Sequence, residues 1–202
     1  RFQDYRGFSG GGISSMLVDR DGNLWTAFNN NPATCFGRDG QIRRQLEGQS
    51  FVSCMFMAAD GKVWAGLYNG GIASLDTRTG TLGPLEQHDR NSLVQCMVQD
   101  QKGNIYYTTR GSGFSMYNPV TGEYRHWSKT SDSASGAKLD NDWINSMAVD
   151  EGGLLWLGHN SGISCYDTEA GEFRDVPSEL NASGTSCSLL ICDNNGRVWA
   201  GT

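Results

Sequence analysis

Three histidines and six cysteines are the side chains from which a catalytic or metal centre would first be sought in these 202 residues. His88, His126 and His159 occupy unrelated places in the pattern that organises the chain, so they cannot form a symmetric metal ring. Cys35, Cys54, Cys96, Cys165, Cys187 and Cys192 show no CxxC spacing and make no zinc pair with the histidines. Within apolar strand patterns such thiols behave as small hydrophobes. Asp19-Arg20-Asp21-Gly22-Asn23 opens like a calcium loop but lacks the later Glu that would complete one. No catalytic residue, metal ligand or cofactor is therefore assigned. What remains is a set suited to binding: Tyr68 and Asn69, Arg110, His159 and Asn160, and Asn141, Asp142 and Trp143. Its amides can bond hydroxyls, Arg110 can clamp a carboxylate and Trp143 can stack on an apolar face, which fits a neutral or mildly acidic sugar.

The elements that must position this set belong to a unit repeated five times. Its most visible part is a turn followed by an aromatic residue: Asp19 to Trp25, Ala58 to Trp64, Asp100 to Tyr106, Asp150 to Trp156 and Asp193 to Trp199. The aromatics are separated by 39, 42, 50 and 43 residues, the period of propeller blades. Before each turn lies a mainly apolar strand containing Ile13, Val52, Val94, Ile144 or Cys187 and, three residues on, Met16, Met55, Met97, Met147 or Leu190. Two residues after each aromatic stands a small residue (Ala27, Gly66, Thr108, Gly158, Gly201), which predicts close packing of neighbouring sheets. Third strands follow at 71–76, 113–118 and 162–167, and fourth strands near Leu82, Tyr124 and Phe173.

The expected fold is all-β: a β-propeller of four-stranded antiparallel blades, about four whole blades with partial blades at both ends, forming part of a larger ring. Residues 1–202 are expected to form a single partial propeller. Residues 1–8 are expected to be the last strand of a preceding blade; blades cover 13–48, 50–87, 92–128 and 141–177; and 186–202 is the first half of another. Residues 129–140 form a Ser-rich surface insertion. The aromatic of each repeat is expected to pack between blades. Connections from strand two to three and from strand four to the next strand one share one rim, so Asn29, Asn30, Phe51, Ser112 and Asn91 join the binding set there.

Formal charge is −6 and there is no basic stripe, which argues against nucleic acid as a partner. No apolar run is long enough to span a bilayer.

At the turn-plus-Trp unit and the following Gly-Ile-x-x-Leu/Tyr-Asp unit, the sequence resembles the two-component regulator propeller repeat. Ala58 and Tyr106 depart from the pattern. The resemblance implies the periplasmic, ligand-sensing region of a hybrid two-component histidine kinase of the Bacteroidetes type, tuned to oligosaccharides from polysaccharide breakdown. It implies a receptor segment and not an enzyme. Expected partners are an oligosaccharide or other small ligand, downstream sensor domains of the same receptor and a second copy in a homodimer. A metal-dependent propeller lyase or lactonase and a protein-interaction scaffold are the alternatives.

Overall fold

A computed structural model of the chain describes residues 12–28, 31–48, 51–86, 92–131, 138–177, 185–193 and 195–202. These residues form antiparallel sheets and no helix, so none crosses a membrane as a long apolar helix. The chain divides into two compact units, Arg1–Val94 and Gln95–Thr202.

The first unit holds two sheets. One is β1 (Ile13–Val18), β2 (Leu24–Phe28), β3 (Asn31–Phe36) and β4 (Ile42–Gln45); the other is β5 (Val52–Met57), β6 (Val63–Leu67), β7 (Ile72–Asp76) and β8 (Thr81–Glu86). In each sheet the strands lie side by side in chain order, the meander of a propeller blade. Trp25, Val52, Val63 and Leu75 are buried together in one apolar cluster.

The second unit has two four-stranded blades and a half blade. They are β9 (Val94–Gln99), β10 (Ile105–Thr109), β11 (Phe114–Tyr117) and β12 (Tyr124–Trp127); then β13 (Ile144–Val149), β14 (Leu154–His159), β15 (Gly162–Asp167) and β16 (Glu172–Arg174); then β17 (Leu189–Cys192) and β18 (Val198–Gly201). The first residue of β9, Val94, ends the first unit. An aromatic core lies between the two whole blades: Phe114 stacks on Trp127 at 4.9 Å, and Tyr166 meets Phe173 edge-on at 5.2 Å. Leu139, at the end of the Ser-rich segment, is fully buried in the same core. Residues 132–137 and the predicted strand at 1–8 lie outside the described residues.

The turn before each aromatic follows one design. Its fourth residue is Gly22, Gly61, Gly103, Gly153 or Gly196, with φ of 78°, 83°, 84°, 81° and 72°, a left-handed conformation that glycine adopts without a Cβ penalty. The first residue, where it is Asp, gathers the turn beneath the ring. One Asp150 oxygen accepts the Gly152 and Leu154 amides, each at 2.9 Å, and the other accepts the Trp156 indole N–H at 2.9 Å. Asp19 does the same for Trp25, Asp193 for Trp199, and Asp100 accepts the Tyr106 hydroxyl. At the second repeat Ala58 has no carboxylate, and Asp60 accepts the Lys62 amide instead.

Neighbouring blades are latched through their first strands. The pairing of β1 with β2, β5 with β6 and β13 with β14 shifts register around Ser14, Ser53 and Asn145. Such a bulge re-aims a side chain out of the ladder. Ser14 donates to Val52 O, Ser53 to Val94 O at 2.6 Å, and Asn145 to Cys187 O at 3.0 Å, always to the same position of the next repeat. The residue after the bulge makes a second latch in the opposite sense: Met55 N–H donates to Ser15 and Leu190 N–H to Ser146, both at 3.0 Å, and Met147 N–H is directed at the Cys96 sulfur. The small residue predicted after each aromatic has its reason here. A Cβ on Gly66 would lie 2.5 Å from Val94 Cγ1, and one on Gly158 would lie 2.7 Å from Cys187 Sγ.

Candidate functional site

The two sets of connections predicted to share a rim do meet within the second unit. Arg110, at the end of β10, places its guanidinium carbon 5.5 Å from the centroid of the Trp143 ring, within cation–π range. Gly111 has φ of +73°, and a Cβ there would lie 3.2 Å from the indole, so the β10–β11 turn is flattened against Trp143. Trp143 keeps 48% of its surface exposed. Beside it the Asp142 carboxylate accepts the Lys129 amide at 2.7 Å, while the Asp142 carbonyl accepts Gly113 N–H at 3.1 Å. This ties the end of β12 and the start of β11 to the segment that carries the indole.

The β14–β15 turn closes the other side. Asn141 accepts the Trp143 amide at 2.9 Å and donates through Nδ2 to Ser161 Oγ at 2.8 Å. Asn160 donates its amide to Trp143 O, and its side-chain oxygen accepts from Asn145, the residue that also latches the next blade. The rim is thereby coupled to the blade junction through a single amide side chain.

His159 does not face solvent. Its ring is fully buried; Nδ1 accepts the Ser161 amide at 3.2 Å, which leaves the proton on Nε2 to be donated to Ser164 Oγ at 2.9 Å. Burial pushes its pKa below the ordinary imidazole value, against the field of Asp140, which acts to raise it. His159 thus props the turn bearing Asn160 and Ser161 from beneath. The groups this structure brings together at the surface are Arg110, Trp143, Asn141, Asp142, Asn160 and Ser161.

Tyr68 and Asn69 belong to the first unit. Tyr68 is half-buried and its amide donates to Phe51 O at 3.0 Å; Asn69 is exposed. This bond repeats the one between Asn160 and Trp143, and Phe51, 39% exposed, stands at the same repeat position as Trp143. Asn29, Asn30, Asn91 and His88 lie outside the described residues. Ser161 and Asn145 were not in the predicted set. Asn145 sits inside an apolar strand, where an amide among hydrophobes was the available signal.

Chemically the second-unit rim offers a cation on an aromatic face, a carboxylate and several amide and hydroxyl groups. Among the described residues no three His, Cys, Asp or Glu side chains converge as metal ligands would. The cysteines are free thiols, and burial pushes Cys96 up to about 11 and Cys165 to about 12, which leaves them poor nucleophiles at neutral pH.

Residues 7–30 match the family model described as two component regulator propeller. No curated protein matches the chain. Among solved structures, the extracellular domain of the putative hybrid two component system BT3049 from B. thetaiotaomicron is similar with TM-score 0.78 at 20% identity, over 99% of this chain and 27% of that one. The extracellular domain of the putative one component system BT4673 from the same organism gives 0.73 at 21%, over 100% and 27%. Virginiamycin B lyase from Staphylococcus aureus gives 0.72 at 18%, over 94% and 63%. These extracellular domains and a lyase thus share the fold at these identities, and the chain spans 27% of each of the two extracellular-domain chains.

Proposed function

We propose that the chain, part of which matches the two component regulator propeller model, is a ligand-sensing, extracytoplasmic segment of a two-component signalling receptor, lying in the periplasm and responding to oligosaccharides. In this reading the chain binds and transmits, and any phosphoryl transfer belongs to other domains of the full-length receptor. The observation that carries the reading is the second-unit rim. There, residues that break the repeat pattern are drawn from three connections into one cluster around an exposed indole. Aromatic faces suit the apolar faces of sugar rings, and the surrounding amides and hydroxyls suit their hydroxyl groups. Transmission in this reading is supported by Asn145, which bonds both the rim residue Asn160 and the carbonyl of Cys187 in the next blade.

The test is a calorimetric screen of polysaccharide fragments against the chain, followed by Trp143→Ala and Arg110→Ala. An oligosaccharide should bind, and loss of the indole should weaken it about tenfold, the worth of one aromatic face. Binding of no glycan, or equal binding by both variants, overturns the assignment of this rim.

A further inference from the structure

The β14–β15 turn is closed by a side chain where its counterparts are closed by main chain. Three residues lie between Leu67 and Gly71 and between Thr109 and Gly113, and the third of them bonds back to the backbone: Gly70 N–H donates to Leu67 O and Ser112 N–H to Thr109 O. In the fourth blade His159 pairs directly with Gly162, so the turn is one residue shorter and holds Asn160 and Ser161 alone. Ser161 N–H donates instead to His159 Nδ1 at 3.2 Å. Phe28, Leu67 and Thr109, at the same repeat position as His159, carry no titratable group. The neutral imidazole has its free lone pair on Nδ1, because Nε2 donates to Ser164 Oγ at 2.9 Å. A proton added to the ring therefore lands on Nδ1, and two N–H donors then face each other across that 3.2 Å contact.

We propose that His159 is a proton sensor for the rim: its protonation expels the Ser161 amide, opens the β14–β15 turn and releases both the Trp143 platform and the seam to the next blade. Release of a ligand in this way rests on the rim being the binding site proposed above. The turn holds the platform on two sides. Ser161 Oγ accepts from Asn141, whose side-chain oxygen fixes the Trp143 amide, and Asn160 N–H bonds Trp143 O. It holds the seam as well. His159 O accepts Cys187 N–H at 3.0 Å, and Asn145, which is bonded to Asn160, donates to Cys187 O at 3.0 Å, so Cys187 is gripped through both of its main-chain polar groups. Asp140, on the connection ahead of β13, is the charged group whose field reaches the ring, and it favours the protonated form; burial opposes it and moves the transition to the acid side of an ordinary imidazole. β13 brings no ionisable side chain. On β15, Cys165 and Tyr166 are pushed up to about 12 and Asp167 is paired with Arg174, while burial also raises the thiols of Cys187 and Cys192 in the half blade. The rim above carries Arg110, Lys129 and Asp142.

An NMR titration of the full 202-residue chain from about pH 8 to about pH 5 tests this with no ligand present. The His159 ring, the Ser161 amide, the Asn145 side-chain amide and the Trp143 indole should shift together with one midpoint. His159→Leu should leave the three rim signals flat, and Asp140→Asn should move the midpoint to lower pH, because a charge that favours the imidazolium is gone. A ring that stays neutral until the chain unfolds, rim signals that stay still while it titrates, a rim transition that survives His159→Leu, or a midpoint indifferent to Asp140→Asn overturns the proposal. An oligosaccharide found by calorimetry at the rim should lose about tenfold in affinity for each pH unit below the midpoint, and an unchanged affinity overturns the release of ligand. A screen in which no glycan binds strikes the binding reading alone, and the spectra still decide the switch.

Discussion

Replacing Asp150 by Asn changes one atom and almost no volume, yet it should cost a substantial part of the fourth blade's stability. All three partners of the carboxylate are donors: two backbone amides on one oxygen and the Trp156 indole on the other, each at 2.9 Å. An amide side chain cannot serve both sides. Either its NH2 faces the indole N–H, or it faces the two amides. The better orientation still loses the indole bond and removes the charge that strengthens the other two. With about 1.5–3 kcal/mol for a hydrogen bond to a charged group, the net loss is about 2 kcal/mol. For a chain of this size that lowers the thermal midpoint by about 4–8 °C. Circular dichroism melts of the parent, Asp150→Asn, Trp156→Phe and the double variant provide the assay. In the Trp156→Phe background the Asn substitution should cost about 1 kcal/mol less, because the indole bond is already gone. A midpoint for Asp150→Asn indistinguishable from the parent's would refute the argument that this carboxylate holds turn and ring together.

Acid should destabilise the protein in a window set by His159. Its folded pKa lies below the unfolded value of about 6.5, so its contribution is complete above that pH and is lost as pH falls toward the folded value. Melts from mildly alkaline to mildly acid pH should show the loss, and His159→Leu, which copies Leu67 at the same repeat position, should flatten it. The depressed pKa values of Asp167 and Asp193, held down by bonds from Ala170 and Arg174 and from Trp199 and Arg197, add a second loss at lower pH, below about 4. Ser146→Ala leaves the buried Leu190 amide without its acceptor, at a cost of about 1–3 kcal/mol, and hydrogen exchange at that amide should accelerate. Gly158→Val drives a branched side chain into Cys187 Sγ and Leu190 Cδ1, an overpacking worth about 1–3 kcal/mol by denaturant titration.

Much of the fold was legible because the repeat is written in residue types that only packing requires. The apolar first strands, the small residue after each aromatic and the glycine of each turn appear in the sequence at the places where the structure needs them. Trp25 and Trp64 are buried as the expectation that the repeat aromatics pack between blades requires. The junction latches were visible only as Ser, Asn and Cys interrupting hydrophobic strands. Reading them required the bulge, a register feature that one strand's composition does not encode. The rim was half legible. Arg110 and Trp143 stand out from the repeat, but their meeting depends on the φ of Gly111. His159 looked equally available, and the packing beneath the β14–β15 turn takes it out of solvent.

The first-strand latches also bear on how such a chain can diversify. In the Ser14, Ser53 and Asn145 bonds, and in those of Ser15 and Ser146, the earlier blade supplies the side chain and the later one supplies only main chain. Every L-residue except proline offers that main chain equally. A module that retains its two polar residues and the small residue that receives the successor's side chain keeps the seam intact through duplication, deletion or exchange of whole modules, while the exposed turns are free to acquire new specificities.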